Sequence, residues 1–218
     1  MAKPSIVAMV DALVVVDKPS GVRTDGSDQP GVPDLPSWLD AQPMLPRGVR
    51  PVHRLDLTAS GLVLCSADPT LRATLGDALA QGAIHKTYLV MVHGRTHRKG
   101  TIKRPLADAR RGRPLAAITH YRTLAHLGPY SLLAVTIETG RKHQIRRHFH
   151  GLGHPVVGDT RYRAHRATHG LPDRLWLHAR ALEIAPGVIN TDAHVFEAEL
   201  PEELRASIAE LRWNAGEE

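Results

Sequence analysis

The residues best suited to chemistry lie in the segment Pro51-Val52-His53-Arg54-Leu55-Asp56-Leu57-Thr58-Ala59-Ser60-Gly61, where a lone carboxylate stands among basic and turn-forming neighbours. His53 and Arg54, just upstream, are suited to holding Asp56 ionised by charge and hydrogen bonding. The Thr-Ala-Ser-Gly run then turns the chain into the apolar Leu62-Val63-Leu64. An ionised, positioned carboxylate is a nucleophile or a base; an Asp in such a run equally serves to tighten a turn. Other chemistries fit less well. The 14 His include His143, His148 and His150, but there is no HExxH, no paired-Cys spacing and few acids beside them, so no metal site is expected. A glycosidase needs two facing carboxylates, and the Asp56 neighbourhood offers one. The one cysteine, Cys65, has no partner for an internal disulfide and reads as a small core residue.

Regular elements must hold this segment. Two β-branched runs, Ile6 to Val10 and Leu13 to Val16, predict a strand pair, closed by the turn Asp17-Lys18-Pro19-Ser20-Gly21. From Pro19 to Pro51 seven prolines and four glycines predict a long irregular loop with a short helix near Ser37 to Ala41. After a strand over Leu62 to Cys65, Asp68 and Pro69 form a helix start and Gly82 a helix stop, with Leu71, Leu75, Ala78 and Leu79 at helical spacing. Lys86 to His93 reads as a central strand, apolar on both faces: Tyr88, Val90 and Val92 on one, Leu89 and Met91 on the other. Thr119 to Ala125 and Ser131 to Thr139 predict a hairpin through Gly128-Pro129. A short helix follows Thr139-Gly140, with Ile145, Phe149 and Leu152 on its buried stripe and His143, Arg146 and His150 on another face. An extended run His154 to Tyr162, strands over Leu175 to Ile184 and Ala193 to Leu200, and a final helix after Pro201 with Leu204, Ile208 and Leu211 inward complete an α+β fold, a mixed and largely antiparallel sheet with flanking helices.

The 218 residues suffice for a sizeable core, and the chain is read as one domain over 1–218. A balance of 28 Lys and Arg against 22 Asp and Glu gives a net charge of +6, which favours a polyanionic partner. Arg95, Arg98, Lys99, Lys103, Arg104, Arg110, Arg111 and Arg113 crowd one loop against the single acid Asp108, a phosphate-contacting arm if the partner is RNA. The loop Arg161 to Arg174 is also basic. The first 16 residues are interrupted by Asp11 and lack the charged start and cleavage site of a leader, so neither signal nor membrane span is expected, and a cytoplasmic protein is.

The block HRLDLTASG resembles the HRLD-x-x-T-S-G signature of the RluA-type pseudouridine synthases, with Ala59 where that family usually has Thr. Further blocks fall in the family's order: DKPSG at 17–21, HKTYLVMVHG at 85–94, ETGRKHQIRRHFHGLGHPVVGDTRY at 138–162 and RLWLHA at 174–179. Within the family, GRKHQIRRH and the preceding ITHYRTLA are most similar to the synthase that modifies position 65 of tRNA; large-subunit ribosomal RNA is the rival substrate. The small N-terminal S4-type RNA-binding module of many members is not apparent.

The resemblance implies roles. Asp56 matches the catalytic Asp, Arg146 the arginine paired with it, Tyr88 the active-site tyrosine packed on the target base, and Leu177 an apolar wall of the uracil pocket. Arg54, Arg141, Lys142 and Arg147 are candidates for holding the RNA backbone, and His53 for filling the space of the extruded nucleotide, with a hydrogen-bonded structural His as the alternative. The chemistry needs no cofactor. The expected partner is RNA, tRNA before rRNA, with no membrane, and the protein is expected to act as a monomer. A non-catalytic basic RNA-binding protein is the reading from another class.

Overall fold

The computed structural model describes residues 2–26, 31–108, 111–162 and 171–215. The expectations for Arg110 and for residues 163–170 of the second basic loop lie outside the described residues.

The chain opens with β1 (Ser5–Val10) and β2 (Leu13–Lys18), an antiparallel hairpin turned at Asp11, which takes φ +51; a short polar side chain tolerates that left-handed backbone. α1 (Leu35–Asp40) starts two residues earlier than its sequence signal because Asp34 caps it, accepting from the Ser37 N–H at 2.8 Å. β3 (Arg50–Pro51) leads into the Asp56 segment and β4 (Ser60–Ser66) leaves it. α2 (Pro69–Gln81) begins and ends as its caps dictate: Asp68 accepts from the Thr70 N–H at 2.8 Å, and Gly82 closes the helix at φ +78. β5 (Ile84–His93) follows.

The basic stretch after β5 departs from the expected irregular loop. It contains β6 (Lys99–Ile102), β7 (Leu106–Asp108) and β8 (Arg113–Leu115). Within these three strands only Ile102 and Leu106 are buried, so the period-two pattern that betrays a strand is too short to read among the cations. β9 (Thr119–Leu127) and β10 (Tyr130–Ile137) form the expected hairpin. α3 (Gln144–Gly151), β11 (Leu177–Ile184), β12 (His194–Glu197) and α4 (Glu202–Ala215) complete the described elements. The fold is α+β, and the sheet is mostly antiparallel, as in the pairs β1–β2, β2–β4, β5–β10, β9–β10, β6–β9 and β11–β12.

These elements make two compact units, one of Met1–Lys86 with Ala179–Glu199, the other of Thr87–His178 with Leu200–Glu218. In the first unit the strand order is β1-β2-β4-β11, with β12 on β11 and β3 on β4. Leu75 and Ala78 of α2 pack with Leu13, Leu62, Leu64 and Leu182. Each leucine here is fully buried and contributes about 1.5–3 kcal/mol. Cys65 lies in this interior, where burial pushes its thiol up to about 12, so it is a core residue as expected. In the second unit the order is β5-β10-β9-β6, with β7-β8 as a separate pair. α4 lays Leu204, Ile208 and Leu211 against a cluster that includes Met91, Tyr130 and Trp176. The Trp176 indole N–H donates to Ser207 Oγ at 3.0 Å, so its polar atom is satisfied inside.

One expectation for α3 fails. Ile145 and Phe149 are buried, but Leu152 is 46 % exposed, because the helix ends at Gly151 and Leu152 is its C-cap. Among the described residues no helix is long and apolar enough to cross a membrane.

Candidate active site

Asp56 sits half-buried in a loop whose backbone is gripped from outside. Thr24 Oγ1 both donates to the Leu55 carbonyl and accepts from the Leu55 N–H, each at 3.1 Å. The Gly21 N–H donates to the Leu57 carbonyl at 2.8 Å, and Ser20 Oγ donates to that of Thr58 at 2.9 Å. Lys18, fully buried, sends Nζ to the carbonyls of Ala59 at 2.7 Å, Val22 at 2.9 Å and Pro19 at 3.0 Å. The DKPSG segment and Thr24 therefore fix the residues on both sides of Asp56, while the Ala59 N–H closes a turn onto the Asp56 carbonyl at 3.1 Å. Beyond the turn Gly61 takes φ +112, and a Cβ there would lie 2.3 Å from the Ala179 carbonyl oxygen, so only glycine fits.

The two cations expected to keep Asp56 charged do other things. Burial, and then the Lys86 ammonium, depress His53 to about 3, against a weaker opposing effect of the Arg54 backbone. The imidazole is thus neutral, and its Nε2 accepts from the Leu64 N–H at 3.2 Å. This hydrogen bond clamps the Asp56 loop to β4. Arg54 pairs with Asp25 at 3.0 Å on the surface, which leaves its guanidinium accessible to a solvent-borne anion.

In the second unit α3 is anchored by two polar side chains that face inward. Gln144 Oε1 accepts from Thr139 Oγ1 at 2.7 Å and the Arg141 N–H at 3.1 Å, and its Nε2 donates to the Ile118 carbonyl at 2.9 Å and Thr119 Oγ1 at 3.0 Å. All four of its hydrogen-bonding positions are used. His148, also buried, has Nε2 at 2.9 Å from the Arg104 carbonyl and Nδ1 at 2.9 Å from Thr119 Oγ1. Since a carbonyl only accepts, Nε2 carries the proton and the Thr119 hydroxyl donates to Nδ1. Burial is the first cause lowering the His148 pKa, and the neutral ring suits this role.

Arg146 points inward and is only 6 % exposed. Nε donates to Asp159 Oδ2 at 2.7 Å and Nη2 to Oδ1 at 2.8 Å, a two-pronged grip. Burial pushes the Asp159 carboxyl up, but the Arg146 hydrogen bonds and the N–H groups of Tyr162 and Arg161 outweigh it and hold the pKa below its usual value. The Tyr162 ring lies over the guanidinium with its centroid at 5.2 Å. The neighbouring cations turn outward: Arg141 and Lys142 are exposed, and Arg147 reaches the Ala107 carbonyl at 3.1 Å. Tyr88 is buried on β5 opposite Val135, and Leu177 is buried at the head of β11. Asp56, His53 and Arg54 thus belong to the first unit, and Tyr88, Arg141, Lys142, Arg146, Arg147 and Leu177 to the second. Sequence reasoning missed Lys18, Thr24, Gln144 and Asp159 as holders of the site. An isolated acid in the basic run GDTRYR was the available signal for Asp159. Among the described residues no His, Cys, Asp and Glu group of three or more is placed to hold a metal ion.

A family model for RNA pseudouridylate synthases matches residues 12–151. The chain belongs to that family. Its members are isomerases that convert uridine to pseudouridine in RNA. The match takes in Asp56, Tyr88 and Arg146 and ends before Asp159 and Leu177. The tRNA pseudouridine synthase C of Haemophilus ducreyi is 32 % identical over 198 residues, 79 % of this chain and 81 % of that one. The ribosomal large subunit pseudouridine synthase D of Nitrosomonas europaea is 30 % identical over 226 residues, 93 % of this chain and 63 % of that one. Across the curated relatives the share of their length that is spanned varies, and falls to 53 % for an RNA pseudouridine synthase of Chloroflexus aurantiacus at 37 % identity. Among solved structures, the human RNA Pseudouridylate Synthase Domain Containing 1 superposes with a TM-score of 0.74 at 26 % identity, covering 91 % of this chain and 84 % of that one.

Proposed function

We propose that this chain isomerises one uridine of a structured RNA, a tRNA at a site of the position-65 type, with Asp56 as the catalytic carboxylate. The observation that carries the reading is the Asp56 loop itself. Its backbone is held by Thr24, Gly21, Ser20 and Lys18 at Leu55, Leu57, Thr58 and Ala59. A carboxylate that must meet a sugar carbon at bonding distance gains from such fixed placement. The C1′–N1 bond of the uridine breaks, the freed uracil turns, C5 joins C1′, and the C5 proton departs as N1 regains one, so no redox change or cofactor is involved. The target nucleotide must first leave its stack, costing a few kcal/mol. Arg54, Arg141, Lys142 and Arg147 are assigned to the RNA backbone during this step. Tyr88 is assigned to stack on the base, Leu177 to wall the uracil, and Arg146 to stabilise the Asp56 carboxylate. Residues 1–218 act as one catalytic domain, since neither compact unit is a continuous stretch of chain.

The tRNA assignment draws on the balanced coverage with the Haemophilus tRNA enzyme, 79 % and 81 %, beside the local similarity of GRKHQIRRH. Ribosomal RNA is the second reading, favoured by the 93 % of this chain aligned with the large-subunit enzyme. Mapping pseudouridine in tRNA and rRNA from cells with and without the protein separates the two: loss of a tRNA site supports the first, loss of a 23S-type site the second, and loss of neither refutes both. Asp56→Asn should abolish turnover and leave RNA affinity within about twofold, because one isosteric atom changes. A non-catalytic RNA binder requires wild-type behaviour in the same variant's cells.

A further inference from the structure

We propose that Lys99 and Arg122 form a second RNA-contact surface, on the face of the sheet opposite Tyr88, which holds phosphates of a part of the substrate other than the stretch around the target uridine. The inference rests on the role given above to Tyr88. Strand register sorts the side chains. Tyr88, Val135, Tyr121 and Gly100 lie in one row across β5, β10, β9 and β6. The flanking rows, Thr87-Thr136-His120-Thr101 and Leu89-Ala134-Arg122-Lys99, lie on the other face, because successive residues of a strand point to opposite sides. The Tyr88 face is filled along its row: Tyr88 and Val135 are buried, and the Tyr121 ring meets Phe149 of α3 edge-on at 5.4 Å. That ring also lies across Gly100, where a Cβ would fall 2.6 Å from Tyr121 Cε1. The other face is covered only in part. The cluster that α4 joins reaches Leu89 and Ala125, and past them Lys99, Thr101 and Arg122 are exposed. Lys99 stands directly opposite Arg122, an arrangement of like charges that is unfavourable in itself. Neither makes an ion pair among the described residues. Glu138, just past the end of β10, is engaged by His120 at 2.6 Å, and the other ring nitrogen of His120 meets Thr101 Oγ1 at 2.9 Å. Two cations held together without a carboxylate suit an outside anion, and an RNA substrate supplies phosphates. The sheet itself separates them from a base stacked on Tyr88. RNA reaches both faces by passing β6, the last strand in the order β5-β10-β9-β6. Contacts to backbone phosphates add affinity and register rather than sequence preference.

The test measures turnover and binding with tRNA and 23S-type rRNA transcripts, and then with whichever of the two the wild-type protein modifies, trimmed to the stem-loop that holds the modified uridine. Replacing Lys99 and Arg122 together by Thr keeps residues that suit a strand and removes both charges. One phosphate contact is worth about fivefold in affinity at 0.15 M salt. The double variant should therefore bind the full-length RNA about 10–30-fold more weakly, with a log-log salt slope reduced by about 2, and bind the trimmed stem-loop within about twofold of wild type. Its Tm should not fall, because the like-charge pair is relieved. Lys99→Arg with Arg122→Lys keeps both charges and should bind the full-length RNA within about twofold of wild type. Wild-type affinity and slope in the Thr double variant would overturn the proposal and leave the cations as guards that keep edge strand β6 from pairing with another chain. Equal weakening toward both RNAs would overturn it as well, since the pair would then touch the stem of the target uridine itself. A protein that modifies neither transcript sinks the catalytic reading and this surface with it, whereas modification of one transcript with an unaffected Thr double variant sinks this surface alone.

Discussion

Replacing Lys18 by Met tests how the Asp56 loop is held, because the substitution keeps the buried stem and deletes the ammonium. Three carbonyls lose a charged donor at 2.7, 2.9 and 3.0 Å. Hydrogen bonds from a charged donor are worth about 1.5–3 kcal/mol each, and a buried acceptor left bare costs about 1–3 kcal/mol. Against this, a fully buried ammonium carries a desolvation penalty of several kcal/mol that Met does not. The balance is a loss of about 3–6 kcal/mol, a large part of the roughly 5–15 kcal/mol that holds a domain together. With a urea slope of about 2–3 kcal/mol per molar, the unfolding midpoint of Lys18→Met should fall by about 1–3 M. Folded protein at low temperature should bind RNA nearly as well and turn over more slowly, because Ala59 and Val22 no longer fix the turn that carries Asp56. A midpoint within about 0.3 M of wild type, with unchanged turnover, would refute the claim that this lysine organises the loop.

Two further predictions follow from charge. The unfolded His53 titrates near 6.5 and the folded one near 3, so the unfolded state binds the extra proton between those values; stability is full above 6.5 and is lost as pH falls toward 3, at about 1.4 kcal/mol per pH unit. His53→Gln, which retains an acceptor for the Leu64 N–H, should flatten urea midpoints measured from pH 6.5 to 4, and an unaltered slope sinks the attribution. Lys99 and Arg122 are directly opposed across β6 and β9, a like-charge pair that costs a few tenths to about 1 kcal/mol. Lys99→Thr should therefore raise Tm slightly while weakening RNA binding and reducing its log-log salt slope by about 1; an unchanged slope means Lys99 meets no phosphate.

Local features were legible in the sequence. Asp68, Pro69 and Gly82 delimit α2, and the period-two runs of β5, β9 and β10 and the turn carrying Asp56 all act between near neighbours. What escaped depends on distance along the chain. The Lys18 to Ala59 bond spans 41 residues, the Thr24 to Leu55 bonds 31, and the Gln144 to Ile118 bond 26, and no window of sequence contains both partners. His53 shows the same limit in its charge: beside Arg54 and Asp56 it reads as a cation, but burial against β4 makes it neutral. The strands between Lys99 and Leu115 were hidden because Lys99 and Arg113 open β6 and β8 and none of the three is long enough for apolar alternation to show.

The two compact units interleave along the chain: the first needs Ala179–Glu199 to be whole, and the second needs Leu200–Glu218. On the ribosome, where amino-terminal segments emerge first, β1, β2 and β4 must wait for β11 and β12 before their sheet is complete, although most of that unit was translated long before. The nascent polypeptide therefore exposes unfinished sheet edges until β11 and β12 have been made. No single cut in the gene can release either half as an independent folding module.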